Sequence, residues 1–342
     1  MADVTAHTNL PGVAFAPLRQ VALAEALEQD LEILRDSEAG LSVQTYYGRI
    51  CFAPSENGTC AEIHAPQTDF LQTLKDSLVS QISALSPDVA QGIRWSDASS
   101  AGQLPANARL MSVVQVERLD GDFLRVTLQG DVSRFTLDAI HFRLGIPPQG
   151  RPAIWPAIGP NGATQWPKGA DALHLPVYTA RFVRPDKGEL VFDLFRHDGG
   201  RATHWAETTA PGDEVLVTGP GGGGCRVETE ILGFADETGF PAVARILEAN
   251  PGLVGRVTLF PGGPLGAAYP LPAHPGVQVD YAEPGTQALM AKAALAEVTE
   301  GNPPFLWFAA ERSQATEVRS AWRKSGRAAK DAYISAYWQR RE

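Results

Sequence analysis

Two neighbouring stretches in the middle of the chain carry residue types that suit a flat, phosphate-bearing ligand. Tyr178 and Thr179 fall in a predicted strand, where they would supply an aromatic wall and a hydroxyl at its edge. A glycine-containing loop around Gly200 then opens a short predicted helix at Ala202, and the free amides and dipole of such a helix end bind phosphate. A flavin nucleotide needs all three features. The spacing alone fits buried core aromatics and ordinary glycine turns equally well, so both interpretations stay open at this point.

The charge balance argues against two classes of partner. The 342 residues include 29 Lys and Arg against 39 Asp and Glu, which gives a formal net charge of −10 with histidines neutral. Nucleic acids and anionic membranes attract a positive field, and no block of Lys or Arg supplies one. We therefore expect neither as the main partner. No stretch approaches the roughly 18 apolar residues that cross a bilayer, so we also expect no membrane insertion.

The cysteines and the first residues of the chain predict a compartment. Cys51, Cys60 and Cys225 form no CxxC pair, so we expect reduced thiols and no structural metal site. The segment before Arg19 lacks the basic start and apolar stretch of a secretory signal. The sequence thus predicts a cytoplasmic protein without a bound metal.

The first hundred residues predict a small domain of mixed structure. Apolar spacing predicts helices over Leu18 to Leu34 and Thr68 to Leu85. Between them, Val43 to Phe52 and Thr59 to His64 read as two strands across a turn. The polar, turn-rich stretch from Ser96 to Asn107 predicts a linker. We therefore expect residues 1–98 to form an α+β domain.

The middle of the chain predicts an antiparallel β-barrel over residues 107–226. The whole chain contains 33 Gly and 26 Pro residues, a content that favours short strands joined by turns. Six apolar runs bounded by Gly, Pro or Asp are typical of such a barrel. These runs are Met111 to Leu119, Phe123 to Leu128, Ala139 to Ile146, Val177 to Arg184, Leu190 to Arg196 and Glu214 to Thr218.

Residues 227–342 predict a doubly wound α/β domain, because strands alternate with helices. The predicted strands are Thr229 to Phe234, Gly255 to Phe260 and Phe305 to Ala310. The predicted helices are Glu237 to Leu247, Thr286 to Val298 and Ala315 to Lys324. A barrel followed by such a sheet is the layout of flavoprotein reductases, which is an analogy of fold and not yet evidence of function.

From about residue 109 to residue 340, the order of several motifs resembles the siderophore-interacting FAD-binding proteins. These are bacterial ferric-siderophore reductases related to the ferredoxin reductase superfamily. The matching residues are Tyr178-Thr179, Asp193, His197, Gly200, Ala202, Trp205-Ala206, Pro211-Gly212-Asp213, Gly219-Pro220, Ala235-Asp236-Glu237-Thr238 and Tyr337-Trp338. The part through Trp95 resembles a small uncharacterised domain often fused to these reductases, which implies an architecture but no chemistry.

The resemblance implies a set of FAD-binding residues. Tyr178 would pack against the flavin ring, Thr179 would hydrogen-bond near its reactive edge, and Ala202 with Thr203 would meet the pyrophosphate. The complete expected set for FAD and the nicotinamide donor is Tyr178, Thr179, Arg181, His197, Gly200, Ala202, Thr203, Trp205, Asp236, Glu237 and Thr238.

The resemblance also implies where the electron donor and the substrate approach. Asp236, Glu237 and Thr238 would begin the helix at which nicotinamide docks; an ordinary helix N-cap explains the same residues, and the two interpretations are compatible. Arg245 and Trp338 are the expected substrate-binding residues. For Arg245 the alternative is an arginine that is simply solvated on an amphipathic helix.

Departures from the family pattern affect the site more than the fold. Pro176 replaces an arginine expected to bind flavin phosphate, and it also lacks a backbone donor. The segment Phe260 to Gly266 lacks the charged residues usual after the predicted strand that ends at Phe260.

The glycine run from Gly219 to Gly224 is not a dinucleotide fingerprint, because it precedes a predicted strand instead of following one. We expect a flexible interdomain turn there.

The resemblance implies a flavin-dependent reductase of ferric siderophores. Bound FAD would take a hydride from NADH or NADPH and pass single electrons to iron(III), with no protein side chain assigned as a catalyst. Reduced ferredoxin is an alternative donor. A second hypothesis is a non-catalytic protein that binds a siderophore or a flavin on a degenerate reductase scaffold, favoured by Pro176 and by the segment after Phe260.

Overall fold

The computed structural model describes residues 3–29, 31–97, 100–135, 139–227, 230–300 and 304–340. The chain divides into two compact units. Unit 1 comprises residues 1–109 together with 147–173, and unit 2 comprises residues 110–146 together with 174–342. The segment 147–173, which the sequence led us to include in the barrel domain, therefore belongs to the unit that contains the N-terminal residues.

The described part of the chain contains eighteen strands in four sheets. In chain order they are β1 (Val4–Pro11), β2 (Glu32–Ser37), β3 (Gly40–Thr45), β4 (Gly48–Ser55), β5 (Gly58–Ala65), β6 (Ala108–Leu119), β7 (Phe123–Gln129), β8 (His141–Gly145), β9 (Ala157–Ile158), β10 (Thr164–Gln165), β11 (Val177–Arg184), β12 (Glu189–Phe195), β13 (Glu214–Gly221), β14 (Glu230–Asp236), β15 (Val254–Phe260), β16 (Val277–Tyr281), β17 (Phe305–Glu311) and β18 (Ala332–Trp338).

Seven α-helices accompany these strands in the described residues. They are α1 (Phe15–Glu28), α2 (Thr68–Leu85), α3 (Pro87–Gly92), α4 (Arg201–Thr208), α5 (Phe240–Ala249), α6 (Met290–Glu300) and α7 (Arg312–Lys324). None of the helices in the described residues is long and apolar enough to cross a membrane.

Unit 1 is built on an antiparallel five-stranded sheet in the order β1-β5-β4-β3-β2. The predicted helix over Thr68 to Leu85 is confirmed as α2, which buries Leu74, Leu78 and Ile82. The helix predicted from Leu18 to Leu34 is confirmed as far as Glu28 and wrong beyond it, because the chain from Glu32 onward pairs with β3 as a hairpin.

Two further elements of unit 1 differ from the prediction. The strand predicted over Val43 to Phe52 is two strands, because the Thr45 side chain closes a tight turn on the carbonyl of Gly48 at 2.8 Å. The first strand, β1, was not predicted, although its alternate residues are buried against β5. The small domain is therefore α+β as expected, but it contains more sheet than the sequence suggested.

The segment 147–173 is held in unit 1 by buried polar contacts. Asp76 on α2 accepts hydrogen bonds from the amide and the hydroxyl of Thr164, both at 2.7 Å. The Trp95 indole donates to the carbonyl of Asn161 at 3.0 Å, and Gly162 packs where a Cβ would meet the indole ring. Burial raises the pKa of Asp76 despite these hydrogen bonds.

Unit 2 begins with the predicted antiparallel barrel, which is closed in the order β11-β12-β7-β6-β13-β8. All six runs predicted from the sequence form its strands. Their inward residues, including Val126, Leu144, Phe192 and Val217, are almost fully buried. The prediction of a flexible turn from Gly219 is wrong for its first residues, because β13 continues to Gly221, which pairs with His141.

The second part of unit 2 is the predicted doubly wound sheet. All of its strands are parallel, in the order β16-β15-β14-β17-β18. Thr229, where we predicted the first strand to begin, lies outside the described residues. The predicted helix from Glu237 starts as a short 3-10 turn, and α5 begins at Phe240 with Pro241 in its first turn. The edge strands β16 and β18 were not predicted.

Helix α5 is fixed to barrel strand β11 by two arginines. Arg245 is 7% exposed and donates a hydrogen bond to the carbonyl of Ala180. Arg181 forms a two-pronged ion pair with Glu248, with N···O distances of 2.5 and 2.8 Å. Because Ala180 and Arg181 adjoin Tyr178 and Thr179, these contacts set the position of the barrel edge relative to the sheet.

A second buried polar cluster joins the barrel to the loop that follows β15. The fully buried carboxylate of Asp193 accepts two hydrogen bonds from Arg125, at 2.7 and 2.8 Å. It also accepts one from the hydroxyl of Tyr269 at 2.7 Å. A buried carboxylate is tolerable only with such a full set of partners.

This cluster yields a prediction about stability. Asp193→Ala leaves the Arg125 guanidinium without its carboxylate partner, so it should lower the free energy of unfolding by about 3 kcal/mol. Tyr269→Phe removes one hydrogen bond and leaves the ion pair, so it should cost about 1.5 kcal/mol. Urea unfolding of both variants measures the difference. Equal losses in the two variants would contradict a dominant role for the ion pair.

Candidate functional site

The candidate site lies at the start of barrel strand β11. Its first residues pair with β8, Val177 opposite Arg143 and Thr179 opposite His141. The antiparallel register of Ala180 with Phe192 brings the end of β12 beside the start of β11. The loop that leads to α4 therefore departs beside the start of β11. Tyr178 lies here, half buried, with its ring centroid 4.9 Å from that of Phe192.

A hydrogen-bonded chain of side chains runs from the start of β11 to the last strand of the sheet. The Thr179 hydroxyl lies 3.3 Å from His141 Nδ1. On the other side of the imidazole, Nε2 lies 3.1 Å from the Tyr333 hydroxyl and 3.0 Å from the Tyr337 hydroxyl. Both tyrosines belong to β18. Burial, reinforced by the positive charge of Arg245, lowers the pKa of His141 to about 4.

The opposite side of the candidate site is the carboxyl end of the parallel sheet. Asp236, the last residue of β14, accepts hydrogen bonds from the amide and the hydroxyl of Thr238 at 3.0 and 2.5 Å. Its second oxygen accepts from the Trp338 indole at 2.6 Å. Ligands of open α/β sheets bind beyond this end of the strands. Burial raises the pKa of Asp236 to about 6.

The N-terminus of α4 supplies the amide donors expected from the sequence. Gly200 is the N-cap, and Ala202 and Thr203 in the first turn are buried. The first amides of a helix have no partner within it, and they carry the positive end of its dipole. The amide of His197 donates to the Thr203 hydroxyl at 3.3 Å, which closes the loop. A Cβ at Gly200 would lie 2.6 Å from the exposed ring of His197, so a larger residue there requires this ring to move.

The remaining predicted residues have structural partners. Trp205 on α4 is half buried and packs against the barrel core. Arg181 forms an ion pair with Glu248. Glu237 is buried and accepts a hydrogen bond from the amide of Gly262. Arg245 is buried, so the alternative of a solvated arginine is wrong.

The structure brings Asp236 and Trp338 together. The N-cap interpretation of Asp236 is confirmed by its hydrogen bond from the Thr238 amide.

The departure from the family pattern at Pro176 has a local explanation. The carbonyl of Pro176 accepts from the Leu144 amide at 2.9 Å, so this proline still pairs within the barrel.

Sequence reasoning missed His141 and Tyr333. His141 lay within the barrel strand predicted from Ala139 to Ile146, and nothing in its neighbours indicated two tyrosines 192 and 196 residues away. Tyr333, Ser335 and Tyr337 alternate along one face of β18, and this spacing would have indicated a shared face if the strand had been recognised. Within the described residues, no group of three or more His, Cys, Asp or Glu side chains could hold a metal ion.

Two family models match adjoining parts of the chain. Residues 112–224 match the siderophore-interacting FAD-binding domain. Residues 228–341 match the siderophore-interacting protein model. The two matches cover the barrel and the parallel sheet, which together hold every residue of the candidate site.

Known proteins similar to the chain include one curated relative and several solved structures. The relative is the NADPH-dependent ferric-chelate reductase of Escherichia coli (strain K12), 33% identical over 148 residues, which are 41% of this chain. The match spans 56% of that relative's length.

Two solved structures cover 68% of this chain. A siderophore utilization protein from T. fusca is 26% identical, with a TM-score of 0.57 and 93% of its chain covered. The siderophore-interacting protein SipS from Aeromonas hydrophila is 21% identical, with a TM-score of 0.56 and 92% of its chain covered. The second likeness concerns the fold alone.

The Asp236 environment predicts an observable titration. The carbon resonance of its carboxyl group should titrate with a midpoint near pH 6. Because the Trp338 indole donor stabilises the carboxylate, Trp338→Phe should raise that midpoint further. Carbon-detected NMR of both proteins measures the two values. A midpoint near 4 that Trp338→Phe leaves unchanged would contradict the burial and the hydrogen bond.

The raised pKa of Asp236 also affects the stability of the fold. The folded protein favours the neutral carboxyl of Asp236, so this group stabilises the fold fully below its unfolded pKa of about 4. That contribution is lost as the pH rises through about 6. Unfolding free energies measured from pH 4 to pH 7 should therefore decline less in Asp236→Asn than in the unaltered protein.

Proposed function

The chain belongs, through residues 112–224 and 228–341, to the siderophore-interacting FAD-binding protein family, and on this premise we propose that it is an FAD-dependent reductase of ferric siderophores. NADPH or NADH supplies the electrons. The name of the E. coli relative supports an activity of this class, and it favours NADPH as the donor.

One observation carries the proposal. Thr179 on β11 is linked to the parallel sheet through His141 and two tyrosines of β18, of which Tyr337 lies near the carboxyl end of its strand. A redox cofactor held at the barrel edge would therefore face the sheet end, where a nicotinamide nucleotide binds in α/β folds. On this proposal the fold itself would bring donor and cofactor together.

The residues present fit FAD in their chemistry. The amides at the start of α4, with its dipole, suit the pyrophosphate. The half-buried ring of Tyr178 offers an apolar wall, and the Thr179 hydroxyl offers a polar contact beside it. When bound, FAD accepts a hydride and releases electrons singly, which no protein side chain can do. The protein's part is to orient the cofactor and to exclude water from it.

The sheet end would receive the electron donor. Thr238 and Asp236 form a closed turn at the end of β14, and Trp338 lies over Asp236 with 38% of its surface exposed. An exposed indole beside a fixed carboxylate suits a flat ring that must enter and leave. We assign Asp236, Glu237 and Thr238 to the donor side on this basis.

Of the two expected substrate-binding residues, only one has a side chain that is placed to contact a ligand. Trp338 is exposed enough to contact a siderophore, whereas the guanidinium of Arg245 is turned toward Ala180 and would have to leave it to do so. We therefore retain Trp338 as a substrate contact and treat Arg245 as a residue that holds the site together. Three free cysteines fit the reducing conditions of the cytoplasm, where we place the reaction.

Visible spectroscopy tests the proposal. Added FAD should bind with a shifted, structured flavin spectrum, and anaerobic NADPH should bleach it more rapidly than NADH. Reduced ferredoxin serves as a third donor. A protein that is colourless once unbound FAD has been removed by gel filtration would contradict flavin binding. A bound flavin that none of the three donors bleaches would instead support a non-catalytic binding protein.

The loop before α4 gives a variant with a matched control. Gly200→Ala places a methyl group against the side chains of His197 and Thr203, which must shift, so the FAD dissociation constant should rise about tenfold. Gly252→Ala adds the same methyl group in open space away from the site and should leave it unchanged. Fluorescence titration measures both constants. Equal dissociation constants in the two variants would exclude the α4 loop from the FAD site.

A further inference from the structure

His141 is a buried residue to which the proposed function assigns no role toward the cofactor. Its imidazole is 7% exposed and is enclosed on several sides. The Tyr333 ring lies nearly parallel to it, with centroids 6.2 Å apart and an angle of 14°. The Tyr337 ring meets it edge-on at 5.2 Å and 79°. Such packing leaves the ring little freedom to turn.

The glycine run after β13 completes this enclosure. Gly222 has a positive φ of 72°, and a Cβ there would lie 2.8 Å from His141 Cδ2. A Cβ at Gly223 would lie 2.4 Å from the Tyr333 ring. These two glycines therefore allow the backbone to lie directly against the imidazole and its stacked tyrosine. Close packing against these two rings, rather than flexibility, explains why glycine occupies positions 222 and 223.

The two tyrosine hydroxyls of β18 indicate which imidazole nitrogen carries the hydrogen. His141 Nε2 lies 3.1 Å from the Tyr333 oxygen and 3.0 Å from the Tyr337 oxygen. A phenol hydroxyl is a stronger donor than acceptor, and an unprotonated imidazole nitrogen is a good acceptor. Two phenols that face Nε2 therefore favour an unprotonated Nε2. A neutral imidazole that accepts at Nε2 carries its hydrogen on Nδ1.

The consequence falls on Thr179. If Nδ1 carries the hydrogen, it donates to the Thr179 oxygen, 3.3 Å away. The hydroxyl hydrogen of Thr179 is then free to be donated elsewhere. A buried hydroxyl requires a partner for that hydrogen, and a bound ligand at the barrel edge can supply one. Thr179 is 4% exposed, so water is a poor substitute.

We propose that His141 is a positioning residue: held by Tyr333 and Tyr337, it donates from Nδ1 to Thr179 and so commits the Thr179 hydroxyl to donate a hydrogen bond to the bound flavin. This inference rests on the proposed function, because it assigns the acceptor to FAD. It makes the last strand of the sheet part of the cofactor site without any direct contact between that strand's tyrosines and the flavin.

The first test needs no cofactor. Two-dimensional NMR of the protein labelled with nitrogen-15 in histidine distinguishes a protonated from an unprotonated ring nitrogen. From pH 5 to pH 8, His141 should show a protonated Nδ1 and an unprotonated Nε2, since burial keeps its pKa near 4. Tyr333→Phe, which keeps the stacked ring, should reduce this tautomer preference. A protonated Nε2 in the unaltered protein would overturn the proposal.

The second test uses the flavin's midpoint potential in a double-mutant cycle. Thr179→Val removes the hydroxyl with little change of shape, and His141→Leu removes both ring nitrogens. If His141 acts through Thr179, the two single variants should shift the potential in the same direction, and the double variant should shift it no further. Additive shifts would overturn the proposal. His141→Gln, which keeps one donor and one acceptor, should restore most of the original potential.

The two tests separate this inference from the function on which it rests. A protein that binds no FAD contradicts the proposed function and removes the flavin as the acceptor, while the NMR result still decides the tautomer of His141. A protein that binds and reduces FAD normally, but whose potential is insensitive to His141→Leu, keeps the proposed function and overturns the inference alone.

Discussion

The attachment of helix α5 to barrel strand β11 is the interaction on which the candidate site depends. Arg245 donates to the carbonyl of Ala180, and Arg181 pairs with Glu248 one turn further along the helix. Both arginines are buried, so each contact is made at the cost of desolvating a charge. Their effect is positional. They hold the strand that carries Tyr178 and Thr179 against the helix that follows the carboxyl end of β14.

Once the strand and the helix are fixed, polar side chains span the junction that they create. The chain from Thr179 through His141 to Tyr333 and Tyr337 consists of uncharged groups, because burial keeps the imidazole neutral at ordinary pH. Neutral hydrogen bonds carry no net charge into the junction, and they orient donors as well as charged pairs do. The junction can therefore be ordered without an electrostatic field that would oppose a negatively charged cofactor.

The sequence predicted the elements of unit 2 better than their contacts. The barrel strands were recognisable because each is an apolar run between turn residues, and the central strands β14 and β17 because they are buried on both faces. The edge strands β16 and β18 are half exposed and mixed in polarity, so no apolar run marked them. Missing β18 also hid Tyr333, and with it the role of His141.

The flavin-side residues followed from the family resemblance and stay a prediction, whereas partners far apart in sequence could not be predicted at all. The pairing of Arg181 with Glu248 joins residues 67 positions apart, and the burial of Arg245 follows from that packing. An arginine on an amphipathic helix indicates a solvated side chain unless the surface that it meets is known. The glycines at 222 and 223 were likewise explicable only once the rings of His141 and Tyr333 were seen beside them.

The central claim is that the junction of barrel and sheet passes electrons from a nicotinamide donor, through one flavin, to chelated iron(III). An anaerobic single-turnover experiment tests it most directly: the FAD-loaded protein is reduced with one equivalent of NADPH and mixed with a ferric siderophore and an iron(II)-trapping dye. The account predicts two iron(II) ions trapped for each flavin as the flavin spectrum returns. Reoxidation of the flavin without trapped iron(II), or a flavin that stays reduced, would contradict it.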